Sequence, residues 1–258
     1  MATRVEEQIW SVEGTQKRAA VRRMFADIAP TYDLLNGIMS LSLDHRWRAI
    51  AVATLNLKPG DRALDVCCGT GDFLPPLNKK VGPNGVAVGI DFCPPMLEVA
   101  AKKFALLPKR LSVGDACQLP VASSKFDAVT VGWGIRNVPD VDRAHAEIVR
   151  VLRPGGRFAS IDMARPKNRL VRAVSEFVMN SVLPMLGAII GKSKAYTYLP
   201  KSIQKFRTRE QLEASMASAG MVDVGHRDLF FGNICIHFGR KPEPPQASAR
   251  ASSGEPQP

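Results

Sequence analysis

From Arg62 onward the chain alternates short apolar runs with segments whose apolar residues recur at helical spacing. Residues 63–67, 86–90, 111–113, 126–131 and 157–162 read as strands. Helices are predicted from near Asp72, over 95–105 and over 141–152, the last broken by Arg153-Pro154-Gly155-Gly156. Strand, helix and strand repeated in this way require right-handed crossovers and a mostly parallel sheet covered on both faces, the α/β class. Upstream, 16–29 and 43–57 have helical spacing, and Tyr32-Asp33-Leu34-Leu35-Asn36 reads as a helix-to-loop transition after Pro30. Downstream, 164–206 breaks the rhythm with an apolar helix over about 170–190 and a basic stretch holding Tyr196 and Tyr198. A helix over 208–219 and two strands, 221–228 and 230–238, close the chain as a hairpin centred on 228–230.

Composition fits that pattern. The 258 residues are 45% hydrophobic and 23% charged, which excludes disorder over most of the length. The expected division is an N-terminal extension, 1–20, one domain over 21–241 with an insertion at 164–206, and a disordered tail, 242–258, made mainly of Pro, Ser, Ala, Gln and Glu. Five cysteines, two of them adjacent and none in a Cys-x-x-Cys spacing, support neither a disulfide framework nor a metal site. They read as reduced thiols of a cytoplasmic protein. Glu6 and Glu7 without an apolar run do not make a secretory signal. The strongest apolar run, 182–190, is interrupted by Pro184 and Gly187 and is about half the roughly 20 residues a membrane span needs.

The candidate chemistry lies at strand ends. In an open α/β sheet, ligands bind beyond the C-terminal ends of the strands. Leu64-Asp65-Val66-Cys67-Cys68-Gly69-Thr70-Gly71-Asp72 places an acid at the end of the first strand and two glycines where a backbone can approach a ligand. The third glycine of the dinucleotide fingerprint is absent, and Asp72 would oppose a pyrophosphate. S-adenosylmethionine, with an amino-acid end and no phosphate, fits better. Asp91 ends the second strand, where a carboxylate accepts two ribose hydroxyls. Asp115 ends the third, where its side chain and the Ala116 amide can read an adenine edge.

These segments resemble class I S-adenosylmethionine-dependent methyltransferases and, among them, the ubiquinone/menaquinone biosynthesis C-methyltransferase family. The specific marks are Tyr32-Asp33-Leu34-Leu35-Asn36 with Ser40 and Trp47, Gly134-Ile135-Arg136-Asn137-Val138, and Arg150-Val151-Leu152-Arg153-Pro154-Gly155-Gly156. The resemblance runs from about Val21 to Pro242. It implies a Rossmann-like, seven-stranded, mostly parallel sheet with helices on both faces and an antiparallel last strand. It implies carbon methylation of a polyprenylated demethylquinol, with cofactor contacts from Thr70, Asp91, Asp115, Ala116 and Gly132 beside Asp65, Gly69, Gly71 and Tyr32. Two positions depart from the pattern. Asp44-His45 stands where the family often has His-Arg, and Gly132 replaces a common serine, leaving only backbone for the cofactor.

Such a reaction needs no metal. Deprotonation makes the quinol ring a carbon nucleophile that attacks the sulfonium methyl in line, so the protein must orient two molecules and stabilise a phenolate. Arg136, charged at neutral pH, is expected to lower the quinol pKa and hold the oxyanion, and Asn137 to fix a ring oxygen. Arg136 could equally pair with Asp162, which ends the fifth strand as a base or as that partner. Tyr32 either closes over the cofactor or packs the N-terminal helices. His145, His226 and His237 are read as structural. A soluble small-molecule methyltransferase, a nucleic-acid methyltransferase and a non-catalytic cofactor-binding protein are the alternatives. No base-methylating loop follows the fourth strand, which argues against nucleic acid.

The net charge of +11 divides unevenly. Between Arg165 and Arg209 ten basic residues face one acid, Glu176, giving +9 and leaving +2 for the rest. A basic, partly apolar insertion points to an anionic membrane surface. The expected partners are therefore a lipophilic quinol and a membrane touched peripherally, and the fold also allows a homodimer.

Overall fold

The computed structural model describes residues 14–104, 110–182, 185 and 200–244. Within them one sheet has the order β3-β2-β1-β4-β5-β7-β6. Its strands are β1 Arg62–Val66, β2 Val86–Asp91, β3 Leu111–Val113, β4 Phe126–Gly132, β5 Leu152–Met163, β6 Val222–Leu229 and β7 Ile234–Arg240. The first five pair in parallel, and β7 runs antiparallel to both β5 and β6, as the resemblance implies.

The period of two along each strand divides the core between two faces. Leu64, Val66, Val129, Val131 and Phe158 pack with α6 (Val141–Val151) and α9 (Arg209–Ser218). Ala63, Ala128, Ala159 and Ile161 pack with α3 (Asp44–Ala53) and α4 (Leu74–Val81). Burial of each large side chain contributes about 1.5–3 kcal/mol. Three of the histidines belong to this framework. His145 Nδ1 lies 2.7 Å from Ser215 Oγ, joining α6 to α9, and burial pushes its pKa down to about 4. His226 pairs with Glu213 at 2.7 Å and its ring lies beside His237.

Several expected boundaries move for local reasons. Residues 32–36 are not a helix-to-loop transition. After α1 (Gly14–Ile28), a tight turn at Ala29–Thr31 puts Pro30 where its fixed φ suits a helix start, and α2 runs over Tyr32–Ser40. Thus α1 also crosses the boundary expected at residue 21. The helix after the glycine loop begins at Leu74, because Gly69 and Gly71 hold φ of 53° and 83° and prolines 75 and 76 suit a first turn. The Arg-Pro-Gly-Gly segment ends α6 as expected, but β5 already starts at Leu152 and takes that segment in through a register shift beside β4. The hairpin turn lies at Phe230–Gly232, later than predicted.

In the insertion, α7 covers Arg169–Phe177, capped by Asn168, and continues as a wider turn over Val178–Val182. A short helix, α8, spans 200–205. The expected helix beyond 182, the basic stretch around Tyr196 and Tyr198, and the tail from 245 fall largely or wholly outside the described residues.

Candidate active site

The C-terminal ends of β1, β2 and β4 surround an open cavity, at the place where α/β sheets bind their ligands. It brings together Tyr32, Gly69, Asp91, Asp115, Ala116, Gly132 and Asn137 from the sequence-based set. At Gly69 nothing lies within 4 Å of where a side chain would begin, so the backbone faces open space.

Asp91 is the organiser. Gly69 N–H donates to its Oδ2 at 2.9 Å and Cys93 N–H to its Oδ1 at 2.8 Å, tying the glycine loop to β2. Burial pushes its pKa up to about 6, against the pull of backbone donors at Cys93, Gly69 and Phe92. A carboxylate has about four acceptor sites. Its lone pairs beyond those amides are left for a ligand hydroxyl. Asp115 is engaged more heavily, since Cys117 N–H donates to Oδ1 at 2.9 Å and Arg18 of α1 pairs with Oδ2 at 2.6 Å.

Asp65, Thr70 and Gly71 stand behind the cavity wall. Asp65 is buried and accepts from Thr130 Oγ1 at 2.7 Å, and burial pushes its pKa up to about 8. It braces β1 against β4. Thr70 Oγ1 donates to Asp33 Oδ1 at 2.6 Å, locking the loop to α2. Asp72 is also not a free charge. It pairs with Lys103 and, at 3.4 Å, with Arg48, so the case against a dinucleotide rests on the missing third glycine alone.

Gly132 is explained by its neighbour. A Cβ there would come within 2.5 Å of the Phe73 ring, so a serine could not stand beside this phenylalanine without a shift. The next residue, Trp133, lines the cavity with φ of 51°, and the buried Arg48 guanidinium lies 4.7 Å from its ring centroid.

Arg136 follows β4 in a short turn, Ile135–Asn137, and forms an ion pair with Asp162 at the end of β5. Of the two roles considered for Asp162, the structure supports partner of Arg136. Asp162 is buried and Arg136 half-buried, and Arg136 Nε and Asp162 Oδ2 have no hydrogen-bond partner among the described residues. Burial raises the Asp162 pKa and the neighbouring guanidinium opposes the rise. Asn137 Nδ2 donates to Trp133 O at 3.2 Å, fixing its orientation in the cavity wall. Asp162 aligns the guanidinium through Nη1, which leaves its other terminal nitrogen as the group that can meet a developing oxyanion.

Sequence reasoning missed Arg18, Phe25, Met96 and Trp133 in the wall. Their signal is tertiary, since Arg18 and Phe25 reach the cavity only because α1 folds back over the sheet edge.

The sheet order and the cavity at its strand ends are those of the S-adenosylmethionine-dependent methyltransferase fold. Solved structures similar in fold include an S-adenosylmethionine-dependent methyltransferase from Aquifex aeolicus, with a TM-score of 0.54 and 18% identity over 74% of this chain and 88% of that one. Another is described as a possible histamine N-methyltransferase from Thermotoga maritima, with a TM-score of 0.57 and 22% identity over 85% of this chain and 99% of that one. Residues 12–241 match the ubiE/COQ5 methyltransferase family, and the chain belongs to that family. A demethylmenaquinone methyltransferase of Desulfitobacterium hafniense (strain Y51) is 39% identical over 242 residues, 92% of this chain and 96% of the relative. A ubiquinone/menaquinone biosynthesis C-methyltransferase of Geobacter sulfurreducens is 38% identical over 231 residues, 88% of this chain and 90% of the relative.

Proposed function

We propose that the protein transfers a methyl group from S-adenosylmethionine to a ring carbon of a polyprenylated demethylquinol. The observation that carries this reading is the Arg136–Asp162 ion pair, set behind the cavity on the short turn whose flanking residues, Gly134 and Asn137, line the wall. A guanidinium reached from that wall would stabilise the oxyanion that forms as a ring hydroxyl loses its proton. The cofactor supplies an electrophilic methyl on a sulfonium. Asp91 and the Gly69 backbone would hold its ribose and amino-acid portions, and Asp115 with Ala116 its adenine. Arg136 binds the ring oxygen as its proton passes to water, and Asn137 fixes the ring face. The ring carbon would then take the methyl from sulfur, leaving the neutral thioether, and lose its own hydrogen to water as a proton to restore the aromatic ring. The relatives named for demethylmenaquinone favour a naphthoquinol over a benzoquinol. Transfer of labelled methyl to a demethylnaphthoquinol, in preference to a methoxy-benzoquinol, is the test, and equal or inverted preference would redirect the substrate.

The same reading places the insertion at 164–206 against an anionic membrane. No helix among the described residues is long and apolar enough to cross one. Leu170, Val174 and Phe177 repeat at helical spacing on α7 and are exposed, with Lys167, Arg169 and Arg172 beside them. On α2, Leu34, Ile38 and Leu41 form a second exposed stripe, and the two elements meet through Leu35, Met39 and Met179. Two of the ten basic residues do other work, because Arg207 pairs with Asp142 and Arg209 with Asp228. Reversing Arg169 and Arg172 to glutamate is expected to weaken binding to phosphatidylglycerol vesicles about thirtyfold or more, at about 1 kcal/mol per basic residue. Unchanged retention would contradict peripheral docking through α7.

A further inference from the structure

The turn joining β6 to β7 combines two features that each cost stability. Phe230 and Phe231 hold φ of 47° and 57°, the left-handed region that glycine and asparagine enter readily and bulky side chains rarely do. Their side chains are also displayed, with Phe230 43% and Phe231 80% exposed. Strained backbone and uncovered aromatic surface at one point are the marks of a site that binds something.

The position is specific. Asp162 stands opposite Cys235 and Met163 opposite Ile234, so the turn lies on the same sheet edge as the Arg136–Asp162 pair. From there an aromatic row leads inward. The Phe231 ring lies 5.9 Å from Phe230, and Phe230 lies 5.6 Å from Trp47 of α3. Trp47 in turn shares an apolar cluster with Trp133 of the cavity wall. The row therefore runs from solvent toward the reacting site.

The turn also offers little to a polar ligand. Phe230 O accepts from Asn233 N and Nδ2, both at 3.1 Å, and Gly232 O accepts from Arg209 Nη2 at 2.8 Å. Arg209 is buried, and it further donates from Nε to Asp228 and from Nη1 to Arg165 O, each at 2.7 Å. One guanidinium thus pins the turn to the root of the insertion, where Pro166 packs against Gly232. What remains on display is hydrocarbon.

We propose that Phe230 and Phe231 form the rim over which the isoprenoid tail of the quinol leaves the active site, with Arg209 as the positioning residue that holds the rim. This rests on the quinol reading given above, and continuity with the catalytic edge selects a tail over a second protein. Branched isoprene units carry no hydrogen-bonding groups and pack well on aromatic faces.

The test compares a tailless demethylnaphthoquinol with one bearing several isoprene units, in detergent micelles, for wild type, Phe231→Ser, Phe231→Gly and Arg209→Gln. The ratio of kcat/KM with the tailed over the tailless quinol is expected to fall about tenfold in both Phe231 variants, through KM. Phe231→Gly should at the same time raise Tm, because the strained φ is relieved. Arg209→Gln should lower the same ratio, and adding Phe231→Ser to it should lower it little further. Equal losses on both quinols, an unchanged ratio, or a loss seen only with vesicle-borne substrate would overturn the proposal while leaving the quinol reading intact. Failure of wild type to methylate either quinol would overturn both.

Discussion

Replacing Arg136 by alanine is expected to lower kcat about a thousandfold, the loss that follows removal of a preorganised donor from a developing oxyanion. The Kd for S-adenosylmethionine should stay within a few-fold, because Asp91, Gly69 and Asp115 do not depend on this side chain. A second effect accompanies the first. Asp162 would be left buried without its counter-charge, a situation that costs about 3–5 kcal/mol. Its pKa, already raised by burial, would rise further. A carboxyl with a raised folded-state pKa favours folding at low pH and loses that contribution as pH rises toward the folded value, so the instability of Arg136→Ala should grow from mildly acidic to mildly alkaline conditions. Arg136→Met combined with Asp162→Leu separates the two effects. It should recover most of the stability and none of the turnover. Steady-state kinetics, cofactor titration and thermal unfolding of these variants check each part, and a double variant with restored activity would remove Arg136 from the chemistry.

Asp91→Ala should weaken S-adenosylmethionine binding about a hundredfold or more. The carboxylate lines the cavity where it can accept from the ribose, and each hydrogen bond to a charged acceptor contributes about 1.5–3 kcal/mol. The substitution also frees the Gly69 and Cys93 amides that shape the loop. The wild type carries its own signature of the same interaction. Burial pushes the Asp91 pKa up to about 6, so below that value the group takes up a proton and accepts from the ribose less well. Affinity should therefore be level above about pH 7 and fall about tenfold per unit below pH 6. Calorimetric titration across that range should show the slope in the wild type and its loss in Asp91→Asn, whereas a flat wild-type profile would mean that Asp91 does not face the ribose.

The local part of this architecture was legible in the chain. The cores of β1 to β5 stand where apolar runs placed them, because strands buried on both faces must be apolar throughout. Asp91 and Asp115 at strand ends, with Gly69 after β1, follow from the same reading. What stayed hidden depends on contacts between distant segments. Nothing near Arg18 signals that α1 returns to place it on Asp115. Asp65 looks like a ligand-facing acid, yet its partner, Thr130, lies on the adjacent strand and takes it into the interior. Phe73 makes sense of Gly132 only when the two are seen in contact. The left-handed residues are the plainest case. Cys67, Trp133, Phe230 and Phe231 all have positive φ without being glycine or asparagine, and tertiary packing alone places them there.

The proposed role of Arg136 is to hold the oxyanion that directs the methyl group to carbon. Its most direct measurement is incubation of the purified protein with methyl-labelled S-adenosylmethionine and a reduced demethylnaphthoquinol, followed by nuclear magnetic resonance of the product. The label is expected on a ring carbon, at the chemical shift of an aryl methyl, with no such product from Arg136→Ala. Label on a quinol oxygen, or an undiminished ring-methylated yield from Arg136→Ala, would contradict it.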